Sequence, residues 1–294
     1  MLDTVCALTI YNLVKIIMHY SLFETPNLGI FVQNHFVIPV KPKKSLGQHF
    51  LTDKNIAQKI VSSLTWNRYN NVVEIGPGMG VLTEFLLAEK EREIRFIEID
   101  QASVNYLMSK YPQLAGKIIQ ADALSMKLTD IYTEPFAIIG NFPYNISSQL
   151  FFKILENKKY VRETVCMIQK EVAARIASPP GSKNYGILSV LLQAWYRIEY
   201  LFTVPPEVFF PPPKVQSAVI RLTRNDTMDL GCNEDQFKKV VKTAFNQRRK
   251  TLRNSLKNIL LNLDTSSPFF QKRPEQLGVN DFIMITRLLE QPDK

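Results

Sequence analysis

From residue 71 onward, short runs of consecutive apolar residues alternate with stretches in which apolar residues recur every three or four positions. The runs "NVVEIG" (71–76), "EIRFIEID" (93–100), "GKIIQAD" (116–122) and "FAIIGNFPY" (136–144) predict strands, and the pattern between them predicts helices over 80–90 and 101–110. Further helices in "SSQLFFKILEN" (147–157) and "KEVAARIAS" (170–178) flank the strand "ETVCMIQ" (163–169). Strands alternating with helices at this spacing predict an α/β fold, a parallel sheet covered on both faces. A long apolar helix near "YGILSVLLQAW" (185–195) follows, and "IEYLFTVP" (198–205) and "QSAVIRLTR" (216–224) read as antiparallel strands that end a mixed sheet.

The pattern changes at both ends. The string "RNDTMDLGCNED" (224–235) is rich in turn formers and reads as a linker. Beyond it Phe237, Val240, Val241, Ala244 and Phe245 recur at helical spacing, and Leu252, Leu256, Ile259 and Leu260 continue as a second helix. Residues 225–294 are therefore expected to form a small all-helical domain after an α/β domain over 41–224. Residues 1–40 are apolar and charge-poor but lack the basic start and small-residue cleavage site of a secretory signal. They are read as an extension outside the functional core, a start codon placed too far upstream being one origin for it. No run reaches the roughly 18 uninterrupted apolar residues of a membrane span, so no membrane partner is expected.

Charge sharpens this division. The chain carries 36 basic against 27 acidic residues, a net +9, which favours a polyanionic partner without requiring one. Residues 234–260 hold eight Lys or Arg against two acids, so this short stretch supplies +6 of the total. Cys6, Cys166 and Cys232 stand far apart with no C-x-x-C, which argues against a disulfide framework and for a reducing, cytoplasmic setting. His19, His35 and His49 are the only histidines, and no metal site is expected.

The chemistry begins at "EIGPGMG". Gly76, Gly78 and Gly80 let the backbone turn sharply at a strand end and approach a ligand closely. Their G-x-G-x-G spacing departs from the dinucleotide fingerprint, whose third glycine falls one place later, so a nicotinamide cofactor loses ground without being excluded. Glu98 stands 22 residues after Gly76 at the end of the next strand, where a carboxylate accepts both hydroxyl hydrogens of a ribose; Asp100 is close by and is taken second. Asp122 ends the strand after that and can accept from the exocyclic amine of an adenine. Any one of these carboxylates alone reads equally well as a solvated strand end or helix cap.

The sequence "NFPY" decides between cofactors. Asn141, Phe142, Pro143 and Tyr144 match the N-x-P-Y signature of enzymes that methylate exocyclic amino groups of nucleobases. An adenine amine is a poor nucleophile because its lone pair is delocalised into the ring. Acceptors that hold its hydrogens, here the Asn141 side-chain oxygen and a backbone carbonyl at Pro143, turn the lone pair outward, while the Tyr144 ring stacks on the base. With the glycine loop and the carboxylates on the same sheet edge, S-adenosyl-L-methionine is the expected cofactor and a Rossmann-like methyltransferase the expected fold.

At this point the blocks "KKSLGQHFL", "EIGPGMG", "EID", "ADAL", "NFPYNIS", "QKEVAARI", "YGILSVLLQ", "PPEVFFPPPKVQSAVI" and "AFNQRRKTLRNSL" together resemble the ribosomal RNA small subunit methyltransferase A family, from about residue 41 to the end. The resemblance implies dimethylation of the N6 amino groups of two adjacent adenosines near the 3′ end of small-subunit rRNA, in an immature 30S-type particle, by a monomer. It implies that "GQHFL" closes over the cofactor with His49 and Leu51 in contact, although the family often has asparagine at His49. Gly76, Glu98, Asp122 and Asn141 match the remaining cofactor positions. Phe209 matches the aromatic that stacks on the base opposite Tyr144, leaving Phe210 to pack in the core. Lys238, Lys242, Arg248, Arg249, Lys250 and Arg253 are expected to hold rRNA phosphates, with Lys239 and Lys257 beside them, although any single lysine reads more simply as part of a solvated face. Three alternatives stand beside this reading: a large-subunit rRNA methyltransferase of the macrolide-resistance type, a non-catalytic assembly or transcription factor on the same fold, and a nicotinamide oxidoreductase.

Overall fold

The computed structural model describes residues 40–260 and 264–290, so all but the last residue of the 1–40 extension lies outside the described residues. Seven strands, β1 (Asn71–Ile75), β2 (Glu93–Glu98), β3 (Ile118–Gln120), β4 (Phe136–Asn141), β5 (Val161–Gln169), β6 (Tyr196–Val204) and β7 (Ser217–Arg224), form one sheet in the order β3-β2-β1-β4-β5-β7-β6. The first five are parallel, and β7 runs antiparallel to both β5 and β6. The order reverses between β1 and β4. In an open α/β sheet the crevice at such a reversal, beyond the carboxyl ends of the strands, is where ligands bind.

Successive residues of a strand face opposite sides of the sheet, and here both sides are covered. Val72, Ala137, Ile139, Val165, Met167 and Val219 bury into one apolar cluster, and their neighbours Val73, Ile138, Cys166, Ala218 and Ile220 into another. This is why the strands read as nearly continuous apolar runs. The second cluster extends without interruption through Leu191 and Leu192 to Phe237, Val241, Phe245, Leu252, Phe282 and Ile285, so the C-terminal helices and one face of the sheet share a core.

The segment expected to be a linker is pinned at both ends. The Arg224 guanidinium donates to the carbonyls of Trp195 (2.9 Å), Asn225 (2.8 Å) and Thr227, and Arg287 donates to those of Leu230 and Gly231, both at 2.9 Å. A loop without a backbone ladder leaves carbonyls to be satisfied, and the two arginines satisfy four of them, at Asn225, Thr227, Leu230 and Gly231.

Three helices are shorter than their patterns suggest. The first glycine-following helix spans only Val81–Leu86, the apolar helix Ile187–Gln193 gives way to β6, and the second C-terminal helix is confined to Leu252–Ser255. After it the chain continues in turns, with Leu256 and Leu260 still buried. Arg253 and Lys257 are like charges one helical turn apart, and asparagines at 254 and 258 have low helix propensity, so the apolar spacing survives where the regular helix does not. The first helix of this region, Glu234–Asn246, forms over the predicted stretch. Asn233 caps it by accepting from the amides of Asp235 and Gln236.

Candidate active site

The ends of β1, β2, β3 and β4 open into one cavity lined by Gly76, Gly78, Glu98, Asp122, Asn141, Pro143 and Tyr144, with His49, Phe50 and Leu51 from the preceding segment. The glycines act differently. Gly76 has φ +69°, and a Cβ placed on it would meet nothing within 4 Å among the described residues, which leaves room over a backbone that an L side chain would strain. Gly78, at φ +56°, passes so close to the Phe50 ring that a Cβ would lie 2.9 Å from it. Gly76 thus makes the floor of a cradle, and Gly78 lets the chain around residue 50 close down on it.

Glu98 is 4 % exposed. Its oxygens accept from the amides of Gly78 (3.0 Å) and Asp100 (2.8 Å), so this carboxylate ties the glycine loop to the end of β2 and keeps further lone pairs for a ligand. Burial raises its pKa above the ordinary value despite those two bonds. Glu74, on β1, is fully buried and accepts from Thr83 Oγ1 at 2.7 Å through one oxygen, while among the described residues the other has no partner. Burial pushes its carboxyl up to about 8, and the charge of Glu98 adds to the effect. Of the two, Glu98 lines the cavity, whereas Glu74 lies behind it and keeps its proton up to about pH 8.

Asp100 has a different task. It caps the helix Gln101–Lys110 and receives Lys43 Nζ at 2.5 Å and Gln48 Nε2 at 3.3 Å. Burial alone would raise its pKa, but these donors outweigh it and hold the carboxyl below its ordinary value. Glu98 therefore faces the cavity while Asp100 fastens the 43–48 segment across it. Asp122 accepts from the Leu124 amide at 2.9 Å through one oxygen; among the described residues nothing donates to the other. Between the two acids, Ile99 is 49 % exposed and lines the cavity. Sequence reasoning passed over it, although an apolar residue between two acids at a strand end is a signal for a flat apolar ligand surface.

Asn141 ends β4 with its Nδ2 donating to the main-chain oxygen of His49 at 2.8 Å. A carbonyl can only accept, so this bond fixes the orientation of the amide. Among the described residues no group donates to Oδ1, which remains an available acceptor. Phe142 is buried against Phe151, and its amide donates to Met167 O at 3.0 Å, so the residue between Asn141 and Pro143 anchors the turn to β5. The Pro143 carbonyl accepts from Ile146 at 3.2 Å and retains a lone pair. The Tyr144 hydroxyl is 2.5 Å from Ser217 Oγ, which pins the half-buried ring from β7. Burial raises the phenol pKa and the Ser217 bond opposes it, the net shift being upward.

The two phenylalanines are exchanged relative to expectation. Phe209 and Phe210 pair with Leu51 and Phe50 in a two-stranded antiparallel ladder. Phe209 is 3 % exposed in the cluster that holds Leu51, Met167 and Val219, whereas Phe210 is 44 % exposed. Adjacent strand residues point to opposite sides, so burying one aromatic beside Leu51 turns the other outward. Phe209 is not among the cavity-lining residues; the ring stacked on Tyr144 is that of His49, at 5.5 Å between centroids and 27° between planes.

The basic residues of the C-terminal region are placed unequally. Lys238 pairs with Asp235 at 3.2 Å, Lys242 lies 5.2 Å from the centre of the Phe152 ring, and Arg248 binds Lys183 O and sits 3.8 Å from Glu275. Arg249, Lys250 and Arg253 are exposed and make no ion pair within the described residues.

Comparison with known proteins fits this geometry. The chain is 58% identical over 256 residues, 86% of its length and 95% of the relative's, to a Ribosomal RNA small subunit methyltransferase A of Bacteroides thetaiotaomicron. Among solved structures it is similar to a dimethyladenosine transferase from Plasmodium falciparum (27% identity, TM-score 0.67, covering 82% of this chain and 97% of that one). It is also similar to the 23S rRNA methyltransferase ErmE (25% identity, TM-score 0.59, covering 81% and 99%). The family described as Ribosomal RNA adenine dimethylase matches residues 40–277, from the segment that closes the cavity through most of the C-terminal helices. With the glycine cradle, the buried carboxylates and the oriented Asn141 on one sheet edge, the chain belongs to the ribosomal RNA adenine dimethylase family.

Proposed function

We propose that this enzyme transfers methyl groups from S-adenosyl-L-methionine to the N6 amines of two adjacent adenosines near the 3′ end of small-subunit rRNA, acting as a cytoplasmic monomer on an immature small-subunit particle. The observation that carries the reading is Asn141, whose amide is fixed so that an acceptor is left at the mouth of the glycine cradle. The cradle suits the cofactor: open room over Gly76, acceptors at Glu98 and Asp122, and the apolar Ile99 between them. When bound, S-adenosyl-L-methionine supplies an electron-deficient methyl on a sulfonium. The protein's part is positional. Asn141 Oδ1 and the Pro143 carbonyl accept the amine hydrogens, Tyr144 stacks on the base, and the Lys43 and Gln48 bonds to Asp100 hold the covering segment over the cavity. RNA phosphates fall to the exposed Arg249, Lys250 and Arg253, with Lys238, Lys242 and Arg248 at their side. A looped adenine is cheaper to extrude than a paired one, and selection among adenines rests on the surrounding RNA surface.

The likeness to ErmE keeps a large-subunit substrate as the second reading, but 58% identity to a Ribosomal RNA small subunit methyltransferase A against 25% to ErmE favours a small-subunit substrate. Primer extension separates them. After incubation with enzyme and cofactor, stops at two neighbouring adenines of undermethylated small subunits are expected, with large-subunit rRNA inert. A stop on large-subunit rRNA alone transfers the enzyme to the other substrate.

A further inference from the structure

The segment that covers the cavity is fastened at two ends of unequal strength. At its far end Phe50 and Leu51, both buried, run in the antiparallel ladder with Phe210 and Phe209. At its near end the chain makes one turn, Lys44–Leu46, that closes on itself: the Lys43 amide donates to Gln48 Oε1 at 2.8 Å, and the amides of Leu46 and Gly47 donate to the carbonyls of Lys43 (3.1 Å) and Lys44 (3.0 Å). Gly47, at φ +62°, seats this turn so close to Asn145 that a Cβ would lie 2.6 Å from its Oδ1. Among the described residues, the hydrogen bonds from 43–48 to the rest of the protein all go to Asp100, whose two oxygens take Lys43 Nζ at 2.5 Å and Gln48 Nε2 at 3.3 Å. Asp100 is a fixed post: its side chain is fully buried, it caps a helix through the Ala102 amide, and its own amide donates to Glu98 at 2.8 Å. The Lys43 side chain is 48 % exposed. Leu46, Gly47 and Gln48 line the cavity, but neither Lys43 nor Asp100 does.

We propose that Lys43 is a positioning residue for the cofactor: its ion pair with Asp100 is the bond that lets the 44–48 turn open and close over the cradle, and it sets the rates of cofactor entry and product release. The inference rests on the S-adenosyl-L-methionine reading above. Each methyl transferred uses one cofactor, so the cradle must exchange its ligand between transfers. The ladder end is held by backbone bonds and buried side chains, whereas the Lys43 bond is half in water and screened by salt, so the turn swings from its near end with the ladder as hinge. Because the pair joins protein to protein and touches no ligand, weakening it favours the open turn equally with the cradle empty or loaded. Entry and exit then quicken together, and their ratio, the Kd, is preserved. A residue that binds the ligand directly gives a different pattern, faster exit with unaltered entry.

The test uses the full chain, immobilised for surface plasmon resonance, with S-adenosyl-L-homocysteine as a probe of no net charge. Lys43→Met is expected to raise both kon and koff about three- to fivefold, the factor open to a half-exposed ion pair, with Kd within about twofold of the wild type. Lys43→Arg keeps a charged donor and should stay near the wild-type rates. Raising KCl from about 0.05 M to about 0.5 M should quicken both rates of the wild type and leave those of Lys43→Met nearly level, since only the wild type has the pair to screen. A folding defect would lower the active fraction without moving either rate constant. The proposal is overturned if both rates of Lys43→Met match the wild type, if koff rises while kon does not, if Lys43→Arg behaves as Lys43→Met, or if salt moves wild type and Lys43→Met alike. A wild type that binds no S-adenosyl-L-homocysteine overturns the cofactor reading itself; a binding wild type with an indifferent Lys43→Met overturns only the role of Lys43.

Discussion

The two halves of the cavity are built on different principles. The half proposed to take the cofactor is made of strand ends: Gly76 after β1, Glu98 at the end of β2, Asp122 after β3 and Asn141 at the end of β4. Parallel pairing brings these four together, and the bonds of Glu98 to the amides of Gly78 and Asp100 stay within the β1–β2 unit, whereas Asn141 reaches His49 from 92 residues away. The acceptor half is held by contacts of long reach, among them His49 to Pro211, Tyr144 to Ser217 and Phe50–Leu51 against Phe209–Phe210. A preformed sheet edge suits a small ligand that is the same at every turnover. A pocket closed by bonds between distant segments can open for a base that is part of a large RNA.

Asn141 joins the halves, and its removal is expected to have the largest effect. Asn141→Ala should lower kcat by about a hundredfold or more while cofactor affinity and thermal unfolding stay near wild type, since it takes away an acceptor made useful by orientation. Turnover close to wild type would separate Asn141 from the chemistry.

Glu74 tests the rigidity of the cofactor half. Its carboxyl is raised from an ordinary 4.5 to about 8, so the folded state keeps a proton that the unfolded chain gives up. Its contribution to stability is complete below pH 4.5 and is lost as the pH rises toward 8, at a rate of up to about 1.4 kcal/mol per pH unit for a single group. Glu74→Gln cannot ionise, so wild-type Tm should fall relative to the variant between pH 5 and 8 in thermal melts. Parallel Tm curves would mean that the carboxyl ionises as freely in the folded protein as in the unfolded chain.

Glu98→Ala should weaken S-adenosyl-L-methionine by roughly tenfold, because a ligand loses an acceptor and the amides of Gly78 and Asp100 lose theirs, with particle binding little changed. Calorimetry decides, and an unchanged Kd would put the ribose contact elsewhere. The smallest effect is expected from Arg249→Glu with Lys250→Glu, which should weaken particle binding several-fold and flatten its salt dependence as fewer counterions are released. A wild-type salt slope would make these residues part of a solvated face. Arg248 is left out of the pair because its bonds to Lys183 and Glu275 give it a structural task.

The same contrast explains what was legible in the sequence. Gly76, Glu98, Asp122 and Asn141 could be read because each follows an apolar run, and once the runs are parallel strands their ends converge. The antiparallel close of the sheet was legible for the same reason. The exchange of Phe209 and Phe210 was not, since strand alternation fixes that two neighbours differ but only the ladder with Phe50–Leu51 fixes which one is buried. The shared core was equally hidden: Asn, Asp and Gly at 225–231 read as a linker, yet Arg224 and Arg287 bind the carbonyls of that stretch from outside it. Helix lengths failed where a stripe of leucines remained buried without a regular backbone, as at Leu256 and Leu260. Ile99 was passed over because the acids on either side drew the chemical argument.

The most direct measurement of what this cavity does is the mass of the nucleoside it produces. Undermethylated small subunits are incubated with purified enzyme and isotopically labelled S-adenosyl-L-methionine, then digested and analysed alongside an Asn141→Ala control. Labelled N6,N6-dimethyladenosine at two adjacent positions, with the control largely unlabelled, is the expected result. Label on another base, on ribose, or at equal level in the Asn141→Ala control would contradict a site in which an oriented asparagine presents an adenine amine to the cofactor.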